Sequence, residues 1–466
     1  MKQNKQPNLL ILQPDEYRRR AMGFRGEDPV LTPNLDRFAA QALELTRCFS
    51  TYPVCSPWRA SFLTGQFPET TGVTHNCNSV AARFDIRLAR NAVCLSDVLS
   101  DAGYSCGYIG KWHLDSPNPD DGPWLEPPRE DGRVWDAWTP PERRHGFDFW
   151  FSYGCCDQHF TPHYWTGTGG PETVLQYQGW SPEIEADEAI RYLRAEDGRR
   201  DPEKPFMLMV SMNPPHMPFD EVPERYRALY AGQGPDELLT SPVACRQAAP
   251  ELTERQRTAS PGHIAEARRV VADYFAAVSG VDEQLGRILA VLAEEGLEED
   301  TIVLFTSDHG EMMGSHGLMY KGVWYFDSTQ VPCLLRWPQQ IAAGRSDLIV
   351  NTPDWLPTLL GLLGLEARTP AAVEGENLAP DLLSGRSRPR DGWYYNAELN
   401  ARGITDDEGQ LIVIRDGHDR EREIYYNLTS DPLQMHDISA EQPAAMRAAR
   451  ARLDAWLRRT GDRWLR

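Results

Sequence analysis

Two short stretches far apart in the chain place acids next to one another or beside an imidazole: Asp15 and Glu16 in QPDEY, Asp308 and His309 in TSDHGE. Three carboxylates and one imidazole make a mainly oxygen donor set, which suits a hard divalent cation such as Ca2+, Mg2+ or Mn2+. A second set is cationic: Arg59 in CSPWRASFLTG, Lys111 and His113 in GYIGKWHLD, His216 in NPPHMPF and Lys321 in MYKG. Arg and Lys neutralise charge developing on a tetrahedral oxyanion, while a histidine gives or takes the proton. Taken singly, each acid reads as a helix cap or a solvated turn and each histidine as a satisfied structural residue. Their joint placement decides otherwise.

Cys55 opens the densest of these stretches. Burial as a small hydrophobe is the ordinary fate of a free cysteine. A protein tyrosine phosphatase loop is excluded, because Cys55 and Arg59 lie four positions apart with Pro57 between them. The flanking residues of the cysteine proteases are absent, and a thiolate beside a metal tends to become its ligand rather than a free nucleophile.

Four apolar runs must position these groups: Asn8 to Leu12, Ser105 to Ile109, Phe206 to Ser211 and Thr301 to Thr306. They are rich in Val, Ile, Leu and Phe without strict alternation, as expected of strands buried on both faces of a parallel sheet. Each run is followed within a few residues by one of the chemical groups, and in open α/β sheets ligands bind beyond the carboxyl ends of the strands. After Pro261 the spacing from Val271 to Leu292 predicts a long helix with Gly296 at its end. The fold class is therefore α/β, a large mostly parallel sheet sandwiched by helices. Residues 115–180 carry many prolines and aromatics, Trp124, Trp135, Trp150 and Trp165 among them, and read as a long functional loop lining the pocket. Beyond the polar connector LLSGRSRPR, the runs GWYYNAE, QLIVIRDG and EIYYNL predict a short antiparallel sheet, followed by a helix from about Ala440 to Arg458. The boundaries expected are a catalytic domain over 1–385 and a smaller α+β subdomain over 386–466.

Lys and Arg number 48 against 68 Asp and Glu, a net charge of -20, which disfavours nucleic acid and anionic membranes as partners. An anionic substrate must then be drawn by a local basic site. Nine cysteines spread over 466 residues, with no CxxC pair, do not form a disulfide framework or a structural zinc site. The amino-terminal apolar run is too short for a signal-peptide core and no run approaches a membrane span, so a cytoplasmic location is expected.

CSPWRASFLTG resembles the sulfatase signature, CxPxR followed by TG, whose cysteine is oxidised after translation to formylglycine. Other segments are similar to sulfatase motifs in the same order: NLLILQPDEYRRRAMG, LTPNLDRFAAQALELTRCFS, GYIGKWHL, RHGFDFW, NPPHMPF, TIVLFTSDHGEMMGSHGLMYKG and EIYYNLTSDPLQMHDIS. The resemblance spans about residues 7 to 440 and implies an alkaline phosphatase-like fold with the smaller C-terminal α+β domain. It implies a sulfuric ester hydrolase acting on a carbohydrate or aryl sulfate, matured by a formylglycine-generating enzyme. One divalent metal, Ca2+ before Mg2+ or Mn2+, would be held by Asp15, Glu16, Asp308, His309 and the side chain derived from Cys55. The family pattern makes a hydroxyl of the hydrated aldehyde at 55 the nucleophile, with Arg59 beside it and Lys111 holding the diol. His216 with Lys321 serves the leaving oxygen, and His113 takes the proton that returns the aldehyde. Glu16 stands where members usually carry Asp or Gln, and His309 where many carry Asn; a nitrogen donor shifts preference away from calcium. Two other functions fit the same residues: a phosphonate monoester or phosphodiester hydrolase, and a noncatalytic protein that binds sulfated ligands with Cys55 unmodified.

Overall fold

The computed structural model describes residues 6–117, 128–129, 131–246, 248–418, 420–441 and 443–465. Ten strands form one sheet: Asn8–Leu12 (β1), Leu43–Leu45 (β2), Ser105–Lys111 (β3), Phe149–Tyr153 (β4), His163–Thr166 (β5), Leu175–Gln176 (β6), Phe206–Ser211 (β7), Thr301–Thr306 (β8), Cys333–Arg336 (β9) and Gly344–Ser346 (β10). Their order is β10-β2-β9-β8-β1-β7-β3-β4-β5-β6. The five central strands, β8 through β4, run parallel. Antiparallel pairing enters at both sides, where β9 meets β8 and β2 and where β5 meets β4.

The unbroken apolar runs have a simple cause. Successive side chains of a strand point to opposite faces, and both faces here are covered. Leu10, Leu12, Leu208, Val210, Val303 and Phe305 enter one core, and Leu9, Ile11, Met207, Met209, Ile302 and Leu304 enter the other. Helices Cys55–Thr64 (α1), Ser181–Leu193 (α2), Glu254–Glu294 (α3) and Trp355–Leu362 (α4) close them, α2 and α3 on the first face, α1 and α4 on the second. The helix expected after Pro261 begins earlier, at Glu254, where the Thr253 hydroxyl accepts from the Gln256 N–H at 3.3 Å; Pro261 lies inside it. Gly296 follows its end with φ +66°, a conformation that glycine adopts without steric cost.

Within the described residues of 115–180 three short strands interrupt the irregular chain. They are β4, β5 and β6, and the segment's aromatics Trp150, Phe151, Tyr153, Tyr164 and Trp165 are buried in the two cores. Trp135 alone among the aromatics named above is placed beside a site histidine, and Trp124 lies outside the described residues.

At the C-terminal side Gly392–Asn396 (β11), Ala401–Thr405 (β12), Gly409–Arg415 (β13) and Glu421–Asn427 (β14) form an antiparallel sheet. One face packs on Ala444–Arg459 (α5) through Ile404, Leu411, Val413, Leu453 and Trp456. The other packs on Trp324, Tyr325 and Leu252. Strand β12, ARGIT, breaks the apolar pattern with a buried arginine. The Arg402 Nε lies 2.7 Å from an Asp462 oxygen and its guanidinium sits 3.7 Å over the Tyr395 ring. A buried charge is tolerated when it is paired in this way.

Candidate active site

Four adjacent parallel strands, β8, β1, β7 and β3, end on the same edge and deliver in turn Asp308 and His309, Asp15 and Glu16, Asn213 and His216, and Lys111 and His113. Helix α1 starts at Cys55 over this edge, so residue 55 lies at a helix N-terminus, where unpaired N–H groups favour negative charge.

The Cys55 Sγ is 3.2 Å from His309 Nε2, 3.7 Å from Asp15 Oδ1 and 3.9 Å from Lys111 Nζ. Arg59 Nη2 bridges Asp15 Oδ2 at 3.0 Å and Asp308 Oδ2 at 3.4 Å, while its Nη1 donates to the Ser211 hydroxyl at 2.7 Å and the Lys111 carbonyl at 2.5 Å. Lys111 Nζ reaches Asp15 Oδ2 at 2.7 Å and Asn213 Oδ1 at 3.0 Å. A second group gathers on Glu16, whose Oε2 is 3.0 Å from Lys321 Nζ and 3.3 Å from His216 Nε2. These contacts join every residue that the sequence singled out except His113 into one cluster, divided into two halves that share Asp15; His113 stands beside residue 55 with its Nε2 on the Cys77 carbonyl.

Burial works against every charge here, and the neighbours decide each outcome. Burial alone would raise the Asp15 carboxyl, yet Lys111, His216, His309 and Arg59 hold it well below the ordinary carboxylate value. Burial, with Asp15 reinforcing it, pushes the Cys55 thiol up, so the unmodified residue is no poised thiolate. Burial lowers His113, and burial with Lys321 and Lys111 lowers His216 further, leaving both imidazoles neutral near pH 7.

The donor set fits a divalent cation. Ligand atoms of Asp15, Cys55, Asp308 and His309 lie within 4.8 Å of one another, all buried. His309 Nδ1 donates to the Gly310 carbonyl at 3.0 Å, which turns the Nε2 lone pair toward the acids. Glu16 falls in a separate group with Asp15 and His216; its Oε1 is buried with no hydrogen-bond partner among the described residues. Glu16 and His113 both adopt positive φ, 60° and 54°. That conformation is costly for such residues and typical of site geometry.

Three contributors were not foreseen. Asn213 accepts from Lys111 and donates to Asp157 Oδ1 at 3.0 Å, and Asp157 Oδ1 lies 3.7 Å from His216 Nδ1. Asn213 stands three residues before His216 in NPPH, a proximity that could have flagged it. Asp157 follows a strand hidden in the aromatic segment, and Tyr108, whose hydroxyl meets Arg59 at 3.2 Å, sits in mid-strand; neither had a local signal.

A family model described as sulfatase matches residues 7–365, and one described as N-sulphoglucosamine sulphohydrolase, C-terminal, matches residues 314–460. The chain belongs to the sulfatase family, whose fold is that of the alkaline phosphatase-like hydrolases. It is similar to an endo-4-O-sulfatase of Bacteroides thetaiotaomicron, 36% identical over 94% of this chain and 89% of that protein. It is also similar to an ulvan-active sulfatase of Formosa agariphila, 34% identical over 93% and 77%. The structure of the sulfatase yidJ from Bacteroides fragilis superposes with a TM-score of 0.90 at 35% identity, covering 100% of this chain and 98% of that one.

Proposed function

We propose that the protein hydrolyses sulfate esters of carbohydrates, with Cys55 matured to formylglycine. The observation that carries this reading is the position of residue 55, at the start of α1 and within 3.9 Å of Asp15, His309 and Lys111. The relatives named for carbohydrate sulfates, matched over nearly the whole chain, supply the substrate class. Cys55 is 1% exposed, so its conversion by a formylglycine-generating enzyme precedes closure of the site.

Asp15, Asp308 and His309, with residue 55, would hold the metal, Ca2+ first and Mg2+ or Mn2+ as alternatives, and Glu16 is poised beside them. The hydrated aldehyde supplies an oxygen nucleophile, and the metal supplies Lewis-acid stabilisation of the sulfate oxygens worth several kcal/mol. The chain's own groups do the rest. Lys111 is aimed at residue 55 by Asp15 and Asn213. His113 Nε2 donates to the Cys77 carbonyl at 3.0 Å, which fixes its tautomer and leaves Nδ1 as the base. His216 Nε2 and Lys321 Nζ converge on the Glu16 carboxylate and serve the departing alcohol oxygen.

The test is release of inorganic sulfate from sulfated oligosaccharides by protein made with its maturation system, paired with mass spectrometry of the peptide around residue 55. Formylglycine makes that peptide lighter than its cysteine form by roughly 18 Da. Turnover of phosphonate or phosphate esters with no sulfate release would assign the site to the phosphonate branch. An unmodified Cys55 after maturation, with binding but no turnover, would make the protein a sulfated-ligand binder.

A further inference from the structure

The cations nearest Cys55 are enclosed: Lys111 and Arg59 are at most 1% exposed and matched to Asp15 and Asp308. They can serve one sulfate. Outside them lie two arginines whose backbones meet, the Arg129 N–H donating to the Arg133 carbonyl at 2.8 Å. Arg129 and Arg133 stand 5.3 and 6.0 Å from the centroid of the Trp135 ring, and that ring meets His113 edge-on at 6.0 Å. Arg129 Nη1 also pairs with Asp157 Oδ2 at 2.6 Å, and Asp157 contacts Asn213 and His216 on the other side. Arg129 thus touches both the ring that meets His113 and the carboxylate that meets His216, and its Nη2 donates to the Cys155 carbonyl at 3.5 Å, while a third of its side chain reaches solvent; Arg133 is exposed by 44% and has only the exposed Asp131 at 3.6 Å as an acidic partner among the described residues. In a protein of net charge -20, exposed guanidinium groups at this place recognise local anions rather than add to a general field.

We propose that Arg129, with Arg133 beside it on Trp135, is a specificity-determining residue that receives a second anionic group of the substrate, a carboxylate or a further sulfate. The substrate is then a glycan with more than one negative charge near the scissile ester. This rests on the carbohydrate-sulfate reading above. The sugar ring whose sulfate lies at residue 55 has His113 and His216 to its sides, and Arg129 meets the ring's neighbouring oxyanion. A guanidinium grips either group with paired N–H donors.

The experiment measures equilibrium binding by calorimetry to Cys55→Ala protein, which cannot turn over, with and without Arg129→Ala. The probes are three disaccharides: one neutral and monosulfated, one monosulfated with an adjacent uronate, and one disulfated without uronate. Loss of a charge-assisted contact corresponds to about 10–100-fold, so Arg129→Ala is expected to weaken an anionic-neighbour probe at least about tenfold more than the neutral one. Loss on the uronate probe alone identifies a carboxylate, loss on the disulfated probe alone a second sulfate. Arg129→Lys retains charge but not the fork and recovers part of the binding, and Arg133→Ala gives a smaller loss in the same direction. Equal weakening on all three probes by Arg129→Ala, with Arg133→Ala silent, would overturn the proposal and reduce Arg129 to a support for Asp157. Arg129-dependent binding in a protein whose matured form releases no sulfate would leave this inference standing and sink the hydrolase reading instead.

Discussion

Arg59 and Asp15, on α1 and at the end of β1, meet at 3.0 Å with neither side chain more than 1% exposed, and the same guanidinium nitrogen reaches Asp308 at 3.4 Å. One guanidinium nitrogen thus holds the two acids of the candidate metal site beside each other. Removing one partner of a buried pair leaves uncompensated charge, so Arg59→Ala should cost about 3–5 kcal/mol of stability and abolish sulfate release. Arg59→Lys, lacking the planar fork, should recover stability more than activity. Denaturant unfolding and initial rates measure both; an active, stable Arg59→Ala protein would refute the arrangement.

Chelation should lower activity at least about 100-fold, the scale of Lewis-acid stabilisation by a metal. Adding back Ca2+, Mg2+ or Mn2+ identifies the ion, and it should raise the melting temperature of the chelated protein but not of Asp308→Ala. A melting temperature indifferent to every divalent ion would remove the metal from Asp15, Asp308 and His309.

Gly310 follows His309, and a Cβ built there would lie 2.0 Å from the Asp327 carbonyl oxygen. Backbone cannot yield as a flexible side chain can, so Gly310→Ala should cost about 1–3 kcal/mol. Displacing His309 by a fraction of an ångström should reduce activity by about 100-fold. Wild-type kinetics in this variant would show that His309 has no positional role.

Glu185 is buried in the first core with the Tyr153 and Tyr164 hydroxyls on its Oε1, at 3.3 and 3.1 Å. Burial raises its carboxyl from 4.5 to about 8, the two hydroxyls opposing. Between those values the folded protein keeps a proton that the unfolded chain has lost. The resulting stabilisation is full below about 4.5 and is lost as pH rises to about 8. Over that window the slope is about 1.4 kcal/mol per pH unit. Glu185→Gln keeps an acceptor for the tyrosines and cannot titrate, so its urea midpoint should fall less between pH 5.5 and 8 than that of the wild type. Parallel pH dependences would assign the effect to other groups.

Much of the fold was legible because burial on both faces writes itself into a strand as a continuous apolar run. All four runs singled out are strands of the parallel centre, and the groups after them do share one edge. Where a residue's neighbours lie far off in sequence, the pattern failed. Arg402 reads as an interruption until Asp462 is seen beside it, and Trp150, Phe151, Tyr153, Tyr164 and Trp165 carry no sign in their loop-like surroundings that β4 and β5 bury them in the two cores. The start of α3 was misplaced because Pro261 suggests a boundary, whereas the Thr253 cap lies eight residues earlier.

By itself the sequence determined the chemical inventory and the family: which acids, imidazoles and cations follow which strands, and a cysteine in the CSPWR setting. Only the tertiary structure decided how that inventory divides. Strand order sets β1 between β8 and β7, so Asp15 meets Asp308 and His309 from one neighbour and Glu16 meets His216 from the other, while Lys321, in the segment after β8, folds back onto Glu16. It also brought in Asn213, Asp157 and Arg129, whose roles come from contacts across the sheet edge. The physical reason is that covalent neighbours are fixed by the chain, whereas electrostatic neighbours are fixed by which strands pair, and that pairing depends on the packing of both cores.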